Sequence, residues 1–130
     1  MRKKTHKEFI KEVYTLVGKE NNIRYEEQKK FEGLVNIFQL SYDFYLPDYN
    51  ILIEYQGEQH FKPKTFGGIS KELAKERFKK QQVNDKIKNK FAKDNDFVLW
   101  EPTYKINTYS SMKSYLDKKF SLIEVKQGNI

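Results

Sequence analysis

The sequence predicts a small α/β domain, a mixed central sheet flanked by helices in the order α-β-β-β-α-β-α. Three observations predict it. Apolar residues recur at helical spacing near the start, the middle and the end, with strand-like runs between them. The chain has 130 residues, enough to close one core. Aromatic residues make up 15%, ten Phe and nine Tyr among them, so a few positions fill a large volume. We expect a single domain over 1–130, with its core in residues 5–120 and a tail at 121–130.

Residues 5–20 are the first expected helix, with Phe9, Ile10, Val13, Leu16 and Val17 on one face. Thr5 and Glu8 make a capping-box pattern, and Gly18 with Asn21-Asn22 is a stop signal. Three strands follow. Ile23–Phe31 is a short candidate, Gln39–Leu46 a stronger one, and Ile51–Tyr55 the strongest. Pro47-Asp48-Tyr49-Asn50 joins the last two as a hairpin with a four-residue loop. Residues 58–70, with Pro63 and Gly67-Gly68, read as an irregular loop, either a lid or a plain connector. Residues 71–93 form a long helix capped by Ser70, its stripe made of Leu73, Ala74, Phe78, Val83, Ile87 and Phe91. Asp96–Glu101 is a fourth strand. Residues 109–120 are a last helix, with Met112, Tyr115, Leu116 and Phe120 on one face.

Composition removes several functions. Without cysteine there is no disulfide framework, no Cys-based zinc site, no iron–sulfur cluster and no thiol nucleophile. No apolar run approaches about 18 residues, so no membrane span is expected. The basic start, Met1-Arg2-Lys3-Lys4, lacks the apolar stretch of a secretory signal, and a cytoplasmic location is expected. The net charge of +7 points to a polyanionic partner, nucleic acid first.

Counting inward from the hairpin loop pairs Leu46 with Ile51, Tyr45 with Leu52, Phe44 with Ile53 and Asp43 with Glu54. Phe44, Leu46, Ile51 and Ile53 then share one apolar face. Asp43, Tyr45, Leu52, Glu54 and Gln56 share the other. Two carboxylates across a ladder repel, and Glu54 ends an apolar run. A positive charge belongs between them: a divalent cation with oxygen ligands such as Mg²⁺, or a Lys or Arg side chain. Beyond Glu54, the stretch Tyr55-Gln56-Gly57-Glu58-Gln59-His60 gathers amides, acids and an imidazole at a strand end. Gly57 would permit a sharp turn or close approach to a ligand. His60 is either a hydrogen-bonded structural residue or a proton donor, phosphate contact or metal-shell member.

Tyr42-Asp43-Phe44-Tyr45-Leu46-Pro47-Asp48-Tyr49-Asn50, followed by Ile53-Glu54-Tyr55-Gln56-Gly57-Glu58-Gln59-His60-Phe61, resembles the PD-(D/E)XK nuclease superfamily. The branch it resembles is that of the very-short-patch repair endonucleases, with its homing-endonuclease-like proteins of large phages. Asn84-Asp85-Lys86-Ile87-Lys88-Asn89 and Asn21-Asn22-Ile23-Arg24-Tyr25 are also similar to that phage group. The resemblance covers roughly residues 8–100 and implies a restriction-endonuclease-like fold. It makes Asp43 and Glu54 the motif acids that bind a catalytic Mg²⁺, with Mn²⁺ as a substitute. His60 matches the family's histidine. A glutamate on the first helix is also implied, Glu12 by its distance from Ile23-Arg24-Tyr25, with Glu8 as the rival. Two departures stand out. Gln56 occupies the lysine position of the motif, and Trp100-Glu101-Pro102-Thr103 replaces a basic, Arg-containing strand end.

The reaction so implied is metal-assisted hydrolysis of DNA phosphodiesters, in the host cytoplasm if the chain is phage-encoded. Residues 71–93 hold eight Lys and one Arg against three acids. Lys75, Lys79, Lys80, Lys86 and Lys90, with Lys62 and Lys64 in the loop, are candidate phosphate contacts; a solvated helix face is the alternative. The tyrosines of the hairpin, with Phe61 and Phe66, read as core and rim packing rather than base-stacking platforms. No zinc finger or helix-turn-helix is evident, so target choice falls to the domain itself, a homodimer or a separate partner. A nucleic-acid-binding module that has lost catalysis, and an accessory protein binding another polyanion, are the competing functions.

Overall fold

The structure is a computed structural model that describes residues 8, 15, 22–63 and 68–128, with the side chains of 59 and 123–128 left aside. The expected first helix, and Glu12 with it, lies outside the described residues except for Glu8, which is helical, and Thr15. Lys64 and Phe66 also lie outside them. The chain divides into two compact units, Tyr25–Tyr104 and the residues on either side of it.

Tyr25–Tyr104 is built on four strands: β1 (Glu26–Lys29), β2 (Tyr42–Leu46), β3 (Ile51–Ile53) and β4 (Val98–Trp100). They form one open mixed sheet in the order β1-β2-β3-β4, antiparallel except for the parallel β3–β4 pair. Among the described residues two α-helices complete this small α/β chain: α1 (Lys71–Asp94) and α2 (Tyr109–Gly128). None of the described helices is long and apolar enough to cross a membrane.

The expected hairpin register is observed, with Leu46 opposite Ile51, Tyr45 opposite Leu52 and Phe44 opposite Ile53. Asn50 closes the four-residue loop at φ 54, a left-handed conformation that asparagine tolerates. Each strand is shorter than the segment expected for it. Beyond Ile53 the backbone-to-backbone ladder continues toward the β4 side: Glu54 N–H donates to Trp100 O, Gln56 N–H to Pro102 O, and Tyr104 N–H to Gln56 O. That ladder carries the backbone of the candidate site.

One cross-strand row, Tyr45–Leu52–Leu99, faces α1. Leu34, Tyr42, Leu52 and Ala92 are its buried centre, and Phe31, Ile87, Phe91 and Phe97 pack around them. Phe31 alone touches four rings, Tyr42, Tyr45, Phe91 and Phe97, with centroids 5.1–6.1 Å away. Tyr42 joins this cluster although alternation sets it opposite Tyr45. The break lies beside Gln28 of β1, at φ 47.

Ser70 caps α1 by accepting from Leu73 N–H at 3.1 Å. The helix ends in a Schellman turn. Asp96 is left-handed at φ 61, its N–H donates to Lys93 O, and Phe97 N–H donates to Ala92 O. The turn drops Phe97 onto Ala92 and starts β4. The expected stripe on α1 is only partly buried: Leu73 and Val83 are exposed, because the helix is covered mainly along Ala74, Ile87, Phe91 and Ala92. The connector after β3 is not wholly irregular, since Glu58–His60 forms a 3-10 turn.

In the other unit, Thr108 and Ser111 cap α2 reciprocally. Ser111 N–H donates to Thr108 Oγ1, and Thr108 N–H to Ser111 Oγ. Met112, Leu116 and Phe120 are buried one turn apart. The helix runs to Gly128, beyond the expected end at residue 120, because nothing in Ser121–Lys126 breaks it.

Candidate functional site

Glu54 lies two residues past Leu52, so it points to the same face of the sheet, toward α1. There it meets Lys88, whose Nζ is 3.1 Å from Glu54 Oε2. The same ammonium sits 5.9 Å from the centroid of the Tyr42 ring. Tyr42 Oη donates to Lys88 O at 2.6 Å, fixing the helix turn that carries the lysine. Burial, then the charges of Glu54 and Glu101, push the Tyr42 hydroxyl far above its ordinary range, so it stays a donor.

Asp43 is as deeply placed. Asp43 and Glu54 are 5% and 6% exposed, and Gln56 is 6%. Asp43 Oδ2 accepts from Tyr55 N–H at 2.8 Å, and Gln28 Nε2 approaches Oδ1 at 3.5 Å. The Asp43 carboxylate is thereby turned onto the backbone just past Glu54. Two carboxylates kept out of water at one strand end are costly unless positive charge or N–H groups meet them.

Gln56 reaches the other side of the ladder. Its Nε2 donates to Glu101 Oε2 at 2.9 Å. Burial pushes the Glu101 carboxyl up, and the charge of Asp85 adds to this. A hydrogen bond from Asn89 and the proximity of His60 and Lys88 pull the other way.

His60 is carried by the 3-10 turn, which its own N–H closes onto Gly57 O at 3.0 Å. Gly57 does so at φ −70 and ψ 172, a conformation open to any residue, so no special backbone freedom is used there. His60 Nδ1 meets both oxygens of Asp85, at 3.1 and 2.9 Å. Gln81 Nε2 donates to Asp85 Oδ1 at 3.0 Å, holding that carboxylate from one turn away. With Asp85 ionised, Nδ1 carries the proton and Nε2 is the atom left to exchange one.

Asp43, Glu54, Gln56 and His60 thus each meet a partner near one end of the sheet, Glu54 and His60 on α1 and Gln56 past β4. The residues that join them, Asp85, Lys88, Asn89 and Glu101, were not expected as site members. Three of these lie on one face of α1 with Gln81, at spacing i, i+4, i+7 and i+8. That polar stripe was the available signal in a helix otherwise read for its exposed lysines.

The candidate phosphate contacts Lys62, Lys75, Lys79, Lys80, Lys86 and Lys90 are all exposed. Lys62 lies 3.8 Å from Glu58, and Lys90 pairs with Asp94. Among the hairpin aromatics, Tyr42 and Tyr55 are buried, and Phe61 is exposed but packs on Tyr104 at 5.7 Å.

Carboxylate oxygens are the donors a hard divalent cation takes, and a two-acid set leaves the other positions to water. Asp43 and Glu54 fit that chemistry, with Lys88 competing for Glu54. Among the described residues, no group of three or more His, Cys, Asp or Glu side chains is placed to hold a metal ion. Comparison with protein-family models, curated proteins and solved structures returns no match.

Proposed function

We propose that the chain is a Mg²⁺-dependent DNA endonuclease on a restriction-endonuclease-like, PD-(D/E)XK-type fold. One observation carries the reading: Asp43 and Glu54, both at least nine-tenths buried, lie at one strand end, and the Lys88 that meets Glu54 is one turn along α1 from the Asp85 that holds His60. Asp43 and Glu54 would hold the cation. When bound, it polarises a phosphate oxygen and lowers the pKa of an attacking water.

The chain's own residues do the rest. Tyr55 N–H and Gln28 orient Asp43, and Lys88 orients Glu54. Lys88 also brings the positive charge that Gln56 cannot supply. His60, with Nδ1 held by Asp85, would take a proton from the attacking water at Nε2 and pass it to the leaving oxygen. The exposed lysines of α1 attract the backbone phosphates.

A second reading, a binding module without catalysis, is favoured by the Lys88–Glu54 pair. An ammonium already neutralising Glu54 removes part of the demand for a metal.

The deciding experiment is cleavage of supercoiled plasmid in Mg²⁺, Mn²⁺ or EDTA, beside Asp43→Ala and Glu54→Ala. Metal-dependent nicking lost in both variants supports the endonuclease. DNA binding without cleavage in any metal, unchanged in both variants, supports the binding module.

A further inference from the structure

Between β1 and β2 the chain makes a small closed loop that none of the site chemistry uses. Val35 and Gln39 pair as an antiparallel bridge, and Leu40 N–H donates to Leu34 O at 2.9 Å. Asn36 N–H donates to Phe38 O at 3.1 Å across the tip. Leu34 is the buried anchor. Gln39 Nε2 lies within 3.0 Å of three carbonyls, those of Phe31, Leu34 and Leu40. So rigid a base leaves its tip in water: Ile37 is 86% exposed and Phe38 79%, with Val35 exposed beside them. Holding two large apolar side chains outward on a braced loop is unfavourable in the isolated chain.

The loop is also tied to the basic helix. Asn36 Nδ2 donates to Asn84 Oδ1 at 2.9 Å. Asn84 lies one turn from Lys80 and two from Arg77, both exposed. Leu34–Ser41 carries no charged side chain, so no acid on the loop would repel a phosphate. The projecting apolar area is two or three side chains, far below the roughly 800 Å² per partner of a stable protein interface. It matches the one or two apolar residues that suffice to part a base step.

We propose that the Ile37–Phe38 tip is an apolar wedge that enters between base steps of duplex DNA while the flanking cations of α1 hold the phosphates. The proposal rests on the nucleic-acid reading above and adds to it a deformation of the duplex. Wedging kinks and unwinds the helix, so its signature is topological and independent of target sequence.

The test relaxes closed-circular plasmid with a topoisomerase in EDTA, with the protein bound and then removed. Wild type is expected to shift the linking-number distribution. Phe38→Ala and the pair Ile37→Ala with Phe38→Ala should lose most of the shift, and Phe38→Leu should keep part of it. Affinity for a mixed-sequence duplex, measured by anisotropy at several salt concentrations, is expected to fall about three- to tenfold in Phe38→Ala. Its salt slope should stay unchanged. Salt-dependent binding with no topological shift, or a shift that Phe38→Ala retains, overturns the wedge and leaves the nucleic-acid reading standing. No DNA binding by wild type overturns both. Self-association that Phe38→Ala abolishes, without a topological shift, assigns the tip to a second copy of the chain and also overturns the wedge.

Discussion

Gln56 Nε2 donates to Glu101 Oε2 at 2.9 Å, so two residues that the proposed nuclease reading takes as departures from its motif are hydrogen-bonded to each other. On that reading, an amide at the motif's lysine position and an acid at its basic strand end would act as one substitution. The pair should therefore be coupled. A double-mutant cycle with Gln56→Ala and Glu101→Ala is expected to give about 1.5 kcal/mol of interaction in urea unfolding. Additivity within error would show the two changes to be independent.

Lys88→Met removes the cation from a Glu54 carboxylate that stays buried. Breaking such a pair costs about 3 kcal/mol, read as a lower urea midpoint in EDTA with an unchanged slope. If the two acids take a divalent cation, Mg²⁺ restores part of that loss in the variant by binding the folded state alone. A midpoint indifferent to Mg²⁺ in Lys88→Met would speak against a metal at Glu54.

Glu101 gives the fold a pH dependence of definite sign. Burial, reinforced by Asp85, raises its carboxyl in the folded state. The folded chain then holds a proton that the unfolded chain has released. The associated stability is fully present below the ordinary carboxyl range and is lost as pH rises through the raised folded value. Glu101→Gln keeps the acceptor for Gln56 and abolishes this titration. Its melting temperature should exceed that of wild type at neutral pH, and the gap should close in acid.

On the endonuclease reading, Asp85 acts through His60. Asp85→Asn no longer favours the Nδ1-protonated tautomer, and cleavage should fall by about 10²-fold or more. The fold should persist, as judged by circular dichroism, and the pH–rate profile should change shape. A purely structural Asp85 would lower stability without altering that profile.

The exposed lysines of α1 should be seen in salt. Each phosphate contact removed by Lys75→Gln, Lys79→Gln or Lys80→Gln lowers the slope of log K against log salt by about 0.9 on duplex DNA. A slope indifferent to all three changes would make that face merely solvated.

The hairpin register was legible in the sequence because an apolar run on each side of a four-residue loop admits few pairings, and Leu46–Ile51 is the pairing observed. The cap of α1 was legible because Ser70 and the helical spacing after it are local signals. The positive charge sought near Glu54 was expected as either a cation or a side chain, and Lys88 is 34 residues away in sequence. Nothing local links a lysine in a lysine-rich helix to one strand carboxylate. The same holds for His60 with Asp85 and for Gln56 with Glu101, which meet only when α1 and β4 dock on β3. Leu73 and Val83 kept the helical spacing yet stayed exposed, since spacing defines a stripe but not how far a neighbour covers it.

The parallel pairing of β3 with β4 has a temporal consequence. Glu54 and Gln56 precede the crossover, Asp85 and Lys88 lie within it, and Glu101 follows it. During synthesis the hairpin acids emerge first; the ammonium that meets Glu54 follows it by 34 residues, and the carboxylate that meets Gln56 follows it by 45. Until Trp100 and Pro102 leave the ribosome, the backbone of Glu54 and Gln56 has no edge to bond. The acids are thus present early, and the side chains and backbone edge that surround them in the fold are assembled only after the crossover.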